Sequence, residues 1–261
     1  MMYQFCSMTD AGRARENNED SVAFDEPTLT AVLADGMGGY NAGEIASGMA
    51  TAFIKSELSR WLIEAGVGAK AREVRRAMEI CVDNANRSIF NSANSNAHYA
   101  GMGTTLVVGV FREDKLVLGH IGDSRCYRLR EGVLTQITKD HSLLQEQMDA
   151  GLITAEQAAT SSIKNLVTRA LGVDESVLLE VNEHPVMAKD LYLMCSDGLS
   201  DMIDDIEISG VVSSDMTLEQ KAKQLIDLAN ENGGRDNISV LLVELHETPE
   251  KRGLISRLLG K

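Results

Sequence analysis

Four aspartates each sit beside a small or backbone-permissive residue at the edge of an apolar run. They are Asp35 in Ala34-Asp35-Gly36-Met37-Gly38-Gly39, Asp123 in Gly122-Asp123-Ser124, Asp197 in Ser196-Asp197-Gly198 and Asp236 in Gly234-Arg235-Asp236-Asn237. Carboxylates that converge repel one another and lose hydration when buried, so a shared pocket of them needs positive charge between them. The simplest such arrangement is a cage for hard divalent cations, Mg²⁺ or Mn²⁺, which take oxygen ligands. A glycine beside the acid lets the backbone approach closely enough for its carbonyl to become a further oxygen donor. Upstream, Arg15-Glu16-Asn17-Asn18-Glu19-Asp20 leads directly into a strand-like run. The planar Arg15 guanidinium can grip a phosphate through two parallel N–H···O bonds. Glu19 and Asp20 can add to the cation shell, either directly or by orienting bound water.

Those groups need a scaffold that brings distant strand ends together. Short β-type runs recur at residues 5–8, 21–24, 29–33, 105–111, 115–121, 125–129, 133–137, 191–195 and 238–245. Connections such as Arg112-Glu113-Asp114, Gly122-Asp123-Ser124 and Glu131-Gly132 are too short for crossover helices, which predicts antiparallel hairpins and a meander in mid-chain. Two long helical patterns precede it. Residues 42–65 place Ile45, Met49, Ala52, Phe53 and Leu62 on a stripe, and residues 69–91 place Val74, Ala77, Met78, Cys81, Ala85 and Ile89 on another. A third helix over 217–230 starts at a capping threonine and buries Leu218, Ala222, Leu225, Ile226 and Ala229. Between Asp140 and Gly172 two short helices and the hydroxyl-rich Thr160-Ser161-Ser162 read as an insertion bordering a site. With three prolines and no linker-like shift before Thr248, one domain over 1–247 is expected, followed by a tail at 248–261. Antiparallel sheets covered by amphipathic helices imply an α+β sandwich.

Bulk composition narrows the chemistry. Lys and Arg total 25 against 39 Asp and Glu, a formal charge of −14, which argues against a nucleic-acid partner. An anionic substrate then requires bound cations to reverse the local field. The four cysteines form no C-x-x-C pair and sit in apolar runs, as reduced buried thiols do. No signal peptide and no transmembrane segment of about 18 apolar residues is visible, so a cytoplasmic location is expected.

Taken in order, Arg15-x-x-Asn18-Glu19-Asp20, Ala34-Asp35-Gly36-Met37-Gly38-Gly39, Gly101-Met102-Gly103-Thr104-Thr105, Gly122-Asp123-Ser124-Arg125, Asp140-His141-Ser142, Thr168-Arg169-Ala170-Leu171-Gly172, Ser196-Asp197-Gly198-Leu199 and Gly234-Arg235-Asp236-Asn237 form a series. It resembles the motif series of the metal-dependent protein serine/threonine phosphatases, the protein phosphatase 2C family, and most of all its compact bacterial members. The resemblance spans residues 5–245. It implies a four-layer α-β-β-α sandwich of two antiparallel sheets flanked by helices, with a small flap over about 140–172. It also implies two Mn²⁺ or Mg²⁺ ions, with a third in bacterial relatives. By position Asp35 bridges two metals, the Gly36 carbonyl binds the second, Asp197 and Asp236 complete the first, and Asp123 with Asp197 hold the third. Arg15 matches the phosphate-binding arginine and Asn237 a supporting neighbour. The implied reaction is attack on phosphoserine or phosphothreonine by a hydroxide shared between cations about 3.5–4 Å apart, without a covalent phosphoenzyme.

The resemblance has departures. Met37 stands where eukaryotic members carry a histidine thought to protonate the leaving group, so that proton must come from water or another group. Bacterial relatives often read His-Pro shortly before the position of Asn165, whereas this chain has Ser161-Ser162-Ile163-Lys164. Plainer readings exist for several of these residues. Gly-Asp-Ser suits an ordinary hairpin. His141 can be a simple loop histidine, and His98, His120, His184 and His246 show no ligand spacing. Cys81 and Arg87 match the spacing of cysteine-dependent phosphatases but fall on a helix, where Cys81 belongs to the apolar stripe. The basic tail, with Leu254, Ile255, Leu258 and Leu259 on one helical face, reads as a frayed terminus or as a membrane or partner contact.

The expected partners are phosphorylated proteins, among them a bacterial serine/threonine kinase and its substrates, acted on by a monomer. Two alternatives accompany that reading: a phosphatase of an anti-anti-sigma-type regulator, and a non-catalytic phosphoprotein-binding pseudophosphatase. The second requires a broken metal set, which the presence of Asp35, Asp197, Asp236 and Arg15 disfavours.

Overall fold

Strands that read as unbroken apolar runs must be covered on both faces, and the architecture follows from that demand. The computed structural model describes residues 1–38, 42–159, 161 and 166–248. One sheet runs in the order β1 (Met2–Asp10), β11 (Ile238–His246), β10 (Leu191–Cys195), β7 (Arg125–Arg130) and β8 (Val133–Gln136). The other runs β2 (Asp20–Asp25), β3 (Thr30–Met37), β5 (Leu106–Arg112), β6 (Lys115–Ile121) and β9 (Glu180–Pro185), with β4 (Gly103–Thr104) pairing on β3. Within each sheet the pairing is antiparallel.

Period-2 alternation assigns each residue to a layer. In β3, Ala31 and Leu33 face the other sheet, joining Phe5, Phe111, Tyr192 and Val243 between the sheets. Val32 and Ala34 of the same strand face outward, under α1 (Ala42–Ala65) and α2 (Ala71–Ser95). The far face of the β1–β8 sheet is covered by α5 (Asp197–Ser200), α6 (Asp205–Val212) and α7 (Leu218–Glu231), through Leu199, Ile208, Leu225 and Ala229 packed on Leu193 and Leu242. Helices, sheet, sheet, helices: the fold is the four-layer sandwich expected. Its flap carries α3 (Leu143–Asp149) and α4 (Ala155–Ala159), and its root is closed where Ser142 bridges Val167.

Several expectations need correction. The mid-chain meander is broken: β5 and β6 form a hairpin, as do β7 and β8, but β6 and β7 lie in different sheets. Gly122-Asp123-Ser124 is therefore a crossing between layers, not a hairpin turn. Length alone could not distinguish the two, because a chain leaving one stacked sheet for the other also needs few residues. The buried stripe of α1 is Ala42, Ala46, Ala50, Ile54, Leu58 and Leu62, while Ile45 is exposed. Small alanines there let the helix sit close to β3, and large exposed residues masked the stripe in the periodicity. Strand β9 was not foreseen; its Glu-Val-Asn-Glu-His-Pro is an edge strand with little alternation. The short α5 and α6 were missed as well. Residues 162–165, inside the expected substrate-bordering run, and 249–261 of the expected tail lie outside the described residues.

The end of the flap is fixed from α2. Asn86 is fully buried; its Nδ2 donates to the Asp174 and Glu175 carbonyls at 3.0 and 3.2 Å, and its Oδ1 accepts from the Gly172 N–H at 2.7 Å. Asn86→Ala would leave those buried groups unpaired. It is expected to lower stability by roughly 2–4 kcal/mol, read as a shift of the urea midpoint at unchanged slope.

Candidate metal centre

One edge of the sandwich gathers the acids that the sequence scatters. Asp35 lies within β3, directly across from Asp20 of β2. Its backbone is clamped: the N–H donates to Thr105 Oγ1 (3.0 Å), and the carbonyl accepts from the Thr105 N–H (2.8 Å) and Thr104 Oγ1 (2.9 Å). Asp197 opens α5 immediately after β10, and Asp236 precedes β11. Gly198 makes that junction possible, because any Cβ there would collide with the Asn237 carbonyl. Ser196 Oγ donates to Asp20 Oδ2 (2.8 Å) and accepts from the Ser239 N–H (3.0 Å), tying β2 to the ends of β10 and β11.

The Arg15 segment is held over the same edge by Asn237. Its Nδ2 donates to the carbonyls of Ala11 (3.0 Å) and Asn17 (2.8 Å), and its Oδ1 accepts from the Glu19 N–H (2.8 Å). Glu19 returns the link through its carbonyl, which accepts from the Gly36 N–H (3.1 Å) and Ser47 Oγ (2.6 Å). Arg15 Nη2 donates to Asp236 Oδ2 at 2.7 Å, which pushes the guanidinium pKa up. The result is a cleft of about 210 Å³ lined by Arg15, Glu19, Asp35, Gly36, Asp123, Asp197 and Asp236, together with Met37, Gly38, Thr105 and Val167. Thus Asp35, Gly36, Asp123, Asp197, Asp236, Arg15 and Glu19 share one cavity, with Asp20 and Asn237 directly behind it.

The electrostatics are those of a strained anion cluster. Burial first, and then Asp20, Asp197, Asp123 and Asp236, push the Asp35 pKa well above the ordinary carboxylate range. Asp197 moves the same way, through burial and then Asp123, Asp201, Asp236 and Asp20. Asp20 is raised to about 7 by burial, although Ser239 and Ser196 oppose the shift. Asp123 is raised to about 6, by burial and then Asp140. Glu19 is raised by burial. Asp20 Oδ1 is also buried without a hydrogen-bond partner among the described residues. Buried carboxylates aimed at one another and an orphaned buried oxygen fit hard divalent cations, which would supply the missing positive charge. Among the described residues the cleft offers carboxylate and carbonyl oxygens and no thiolate or imidazole, which favours Mg²⁺- or Mn²⁺-type chemistry over softer metals.

The cysteine alternative fails on the same physics. All four cysteines are buried and free, and burial pushes the Cys81 thiol up to about 11, far from a nucleophilic thiolate. Sequence reasoning missed other participants. Thr105 was visible only as part of a Gly-rich motif, and Val167, from the flap root, gave no signal. His120, His141 and Glu180 also converge, with possible ligand atoms within 4.8 Å of one another. They come from β6, the flap root and the unforeseen β9, so no spacing rule could join them.

Comparison with known proteins places this geometry. A family model described as protein phosphatase 2C matches residues 10–242. A serine/threonine phosphatase (stp) of Listeria monocytogenes is 38% identical over 249 residues, covering 94% of this chain and 96% of its own. The protein phosphatase PhpP of Streptococcus pneumoniae is 36% identical over 243 residues, covering 92% and 96%. A crystal structure of the catalytic domain of the serine/threonine protein phosphatase PstP, in complex with 2 manganese ions, superposes with a TM-score of 0.82 at 36% identity, covering 94% of this chain and 99% of that one. The chain belongs to the protein phosphatase 2C family and is a serine/threonine protein phosphatase.

Proposed function

We propose that Asp35, the Gly36 carbonyl, Asp197 and Asp236 hold two Mn²⁺ or Mg²⁺ ions for hydrolysis of phosphoserine and phosphothreonine in proteins, and that Asp123 with Asp197 holds a third. The observation that carries this reading is the shared cleft of those five residues with Arg15. The PstP relative bound to manganese supports the choice of cation. When bound, such ions make a water nucleophilic near neutral pH and neutralise phosphoryl charge. Arg15, on the cleft wall, orients the phosphoryl group through its fork of N–H donors. Glu19 and Asp20 would add to the cation shell, either directly or by orienting water, and Asn237 fixes the loop that carries Arg15. Met37 lines the cleft but has no proton to give, so the leaving alkoxide must take its proton from water or another group.

Residues 1–247 act as one catalytic unit, with the flap at about 140–172 bordering substrate. The enzyme is a cytoplasmic monomer that reverses a serine/threonine kinase and acts on that kinase and its substrates. Two features support the location and the partners: no helix among the described residues is long and apolar enough to cross a membrane, and the relatives are bacterial serine/threonine phosphatases.

The test is phosphate release from a phosphothreonine peptide with Mn²⁺ and with EDTA. Turnover is expected only with Mn²⁺, and EDTA-resistant turnover would sink the reading. In the same assay Arg15→Ala should raise KM about 10–100-fold, the effect of losing a charged hydrogen bond to phosphate, with a smaller change in kcat.

A further inference from the structure

The Gly122-Asp123-Ser124 crossing holds Asp123 at the cleft wall, and three ties fix it. Thr105 Oγ1 and Ser124 Oγ share a 2.7 Å hydrogen bond on the side toward β7. Arg125 makes a forked contact to Asp140, with Nε 3.1 and 3.0 Å from Oδ1 and Oδ2 and Nη2 2.7 Å from Oδ2. The third tie reaches the peptide that precedes Asp123. The Gly122 N–H donates to His141 Nδ1 at 3.1 Å, and the His141 N–H donates back to the Gly122 carbonyl at 2.9 Å. Gly122 has φ +100°, and an added Cβ would sit 2.7 Å from Thr105 Cγ2, so only glycine fits this pose.

His141 is built to hold that pose. Its ring is buried and stacked on His120, with centroids 4.7 Å apart and planes 10° from parallel, and His120 Nε2 is itself fixed on the Lys139 carbonyl at 2.8 Å. A backbone N–H can only donate, so His141 Nδ1 is the acceptor. In the neutral ring the proton then belongs to Nε2, which donates to Glu180 Oε2 at 3.2 Å. Burial lowers the ring pKa and favours this neutral form. The same logic removes the metal reading of His120, His141 and Glu180. A metal on Nε2 would require the proton on Nδ1, which faces the Gly122 N–H. His141 also belongs to the flap root, since its carbonyl accepts from the Thr168 N–H at 2.8 Å, next to the cleft residue Val167.

We propose that His141 is a positioning residue that holds Asp123 at the cleft through the Gly122 peptide and links that carboxylate to the root of the flap. The proposal rests on the assignment of Asp123 to the third cation. Its test is calorimetric titration of the metal-free full chain with Mn²⁺, alongside thermal unfolding, for wild type, Asp123→Asn, His141→Asn and His141→Gln. Asparagine can place Oδ1 where Nδ1 sits and keep the Gly122 contact while losing Glu180. Glutamine can reach Glu180 but has no atom at the Nδ1 position.

The weakest Mn²⁺ step should persist in His141→Asn. It should fall about 10–100-fold in affinity in His141→Gln, the scale of losing a residue that supports a metal ligand, and disappear in Asp123→Asn. A general packing defect would lower both His141 variants together, in step with their melting temperatures, and that result overturns the proposal. Loss of the step in Asp123→Asn with retention in both His141 variants also overturns it, while leaving the function intact. An unchanged step in Asp123→Asn overturns both the third-cation assignment and this inference.

Discussion

Asp197→Asn is expected to lower Mn²⁺-dependent turnover of p-nitrophenyl phosphate at least about 10³-fold while raising the melting temperature of the metal-free protein. The two effects have one cause. Asp197 is buried beside Asp123, Asp201, Asp236 and Asp20, and each of them pushes its pKa up. Asparagine keeps the shape and removes the charge, so the cleft loses attraction for cations and loses internal repulsion at once. A variant that merely misfolded would lose activity and stability together, so the opposite signs identify an electrostatic site. Asp236→Asn should cost activity on a similar scale with a smaller gain in stability, because Asp236 is partly exposed and already paired with Arg15 at 2.7 Å. Turnover untouched by Asp197→Asn, measured as kcat with saturating Mn²⁺, would refute the assignment of the cleft.

Most of the residues that share the cleft were legible because the chemistry proposed for it constrains residue type. Cation ligands must be oxygen donors, and a backbone that carries them into a crowded edge needs glycine or serine beside them. Asp35-Gly36, Ser196-Asp197-Gly198 and Gly234-Arg235-Asp236 therefore stand out in the sequence as candidate ligands. The strands were readable for a related reason: sandwiched between layers, β3 and β5 bury both faces and leave apolar runs that loops do not imitate. Illegible parts were those fixed by relations between layers. Nothing in Gly122-Asp123-Ser124 distinguishes a hairpin from a crossing, since either needs few residues and a positive φ. The stripe of α1 was misread because close packing on β3 favours alanines, whose weak hydrophobic signal is outweighed by exposed Ile45 and half-buried Met49 and Phe53. His141 looked like an ordinary loop histidine because its partners, Gly122 and Glu180, lie 19 and 39 residues away.

The second large effect is a pH dependence that reverses with metal. Without cations the buried acids titrate late. An Asp20 carboxyl ionises near 3.8 when exposed but near 7 in the folded chain, and Asp123 near 6. Between those limits the unfolded chain has given up protons that the folded chain still binds, so stability falls as pH rises from about 4 to about 7. For Asp20 alone, moving from 3.8 to about 7 amounts to roughly 4 kcal/mol at most. His141 and His184 oppose this slope, because burial lowers their pKa values and the unfolded chain binds their protons first. Carboxylates whose pKa is lowered, such as Asp149 and Glu219, act only below the ordinary range and leave the window flat. Bound Mn²⁺ requires the ionised acids, so its stabilisation grows with pH, and subtracting the EDTA curve from the Mn²⁺ curve cancels the histidines. The gap in melting temperature between the two should therefore widen steadily from pH 5 to pH 7, and Asp197→Asn should flatten it. A gap that stays constant across that range would mean that the acids do not repel one another in the folded chain, and the basis for cation binding would be lost.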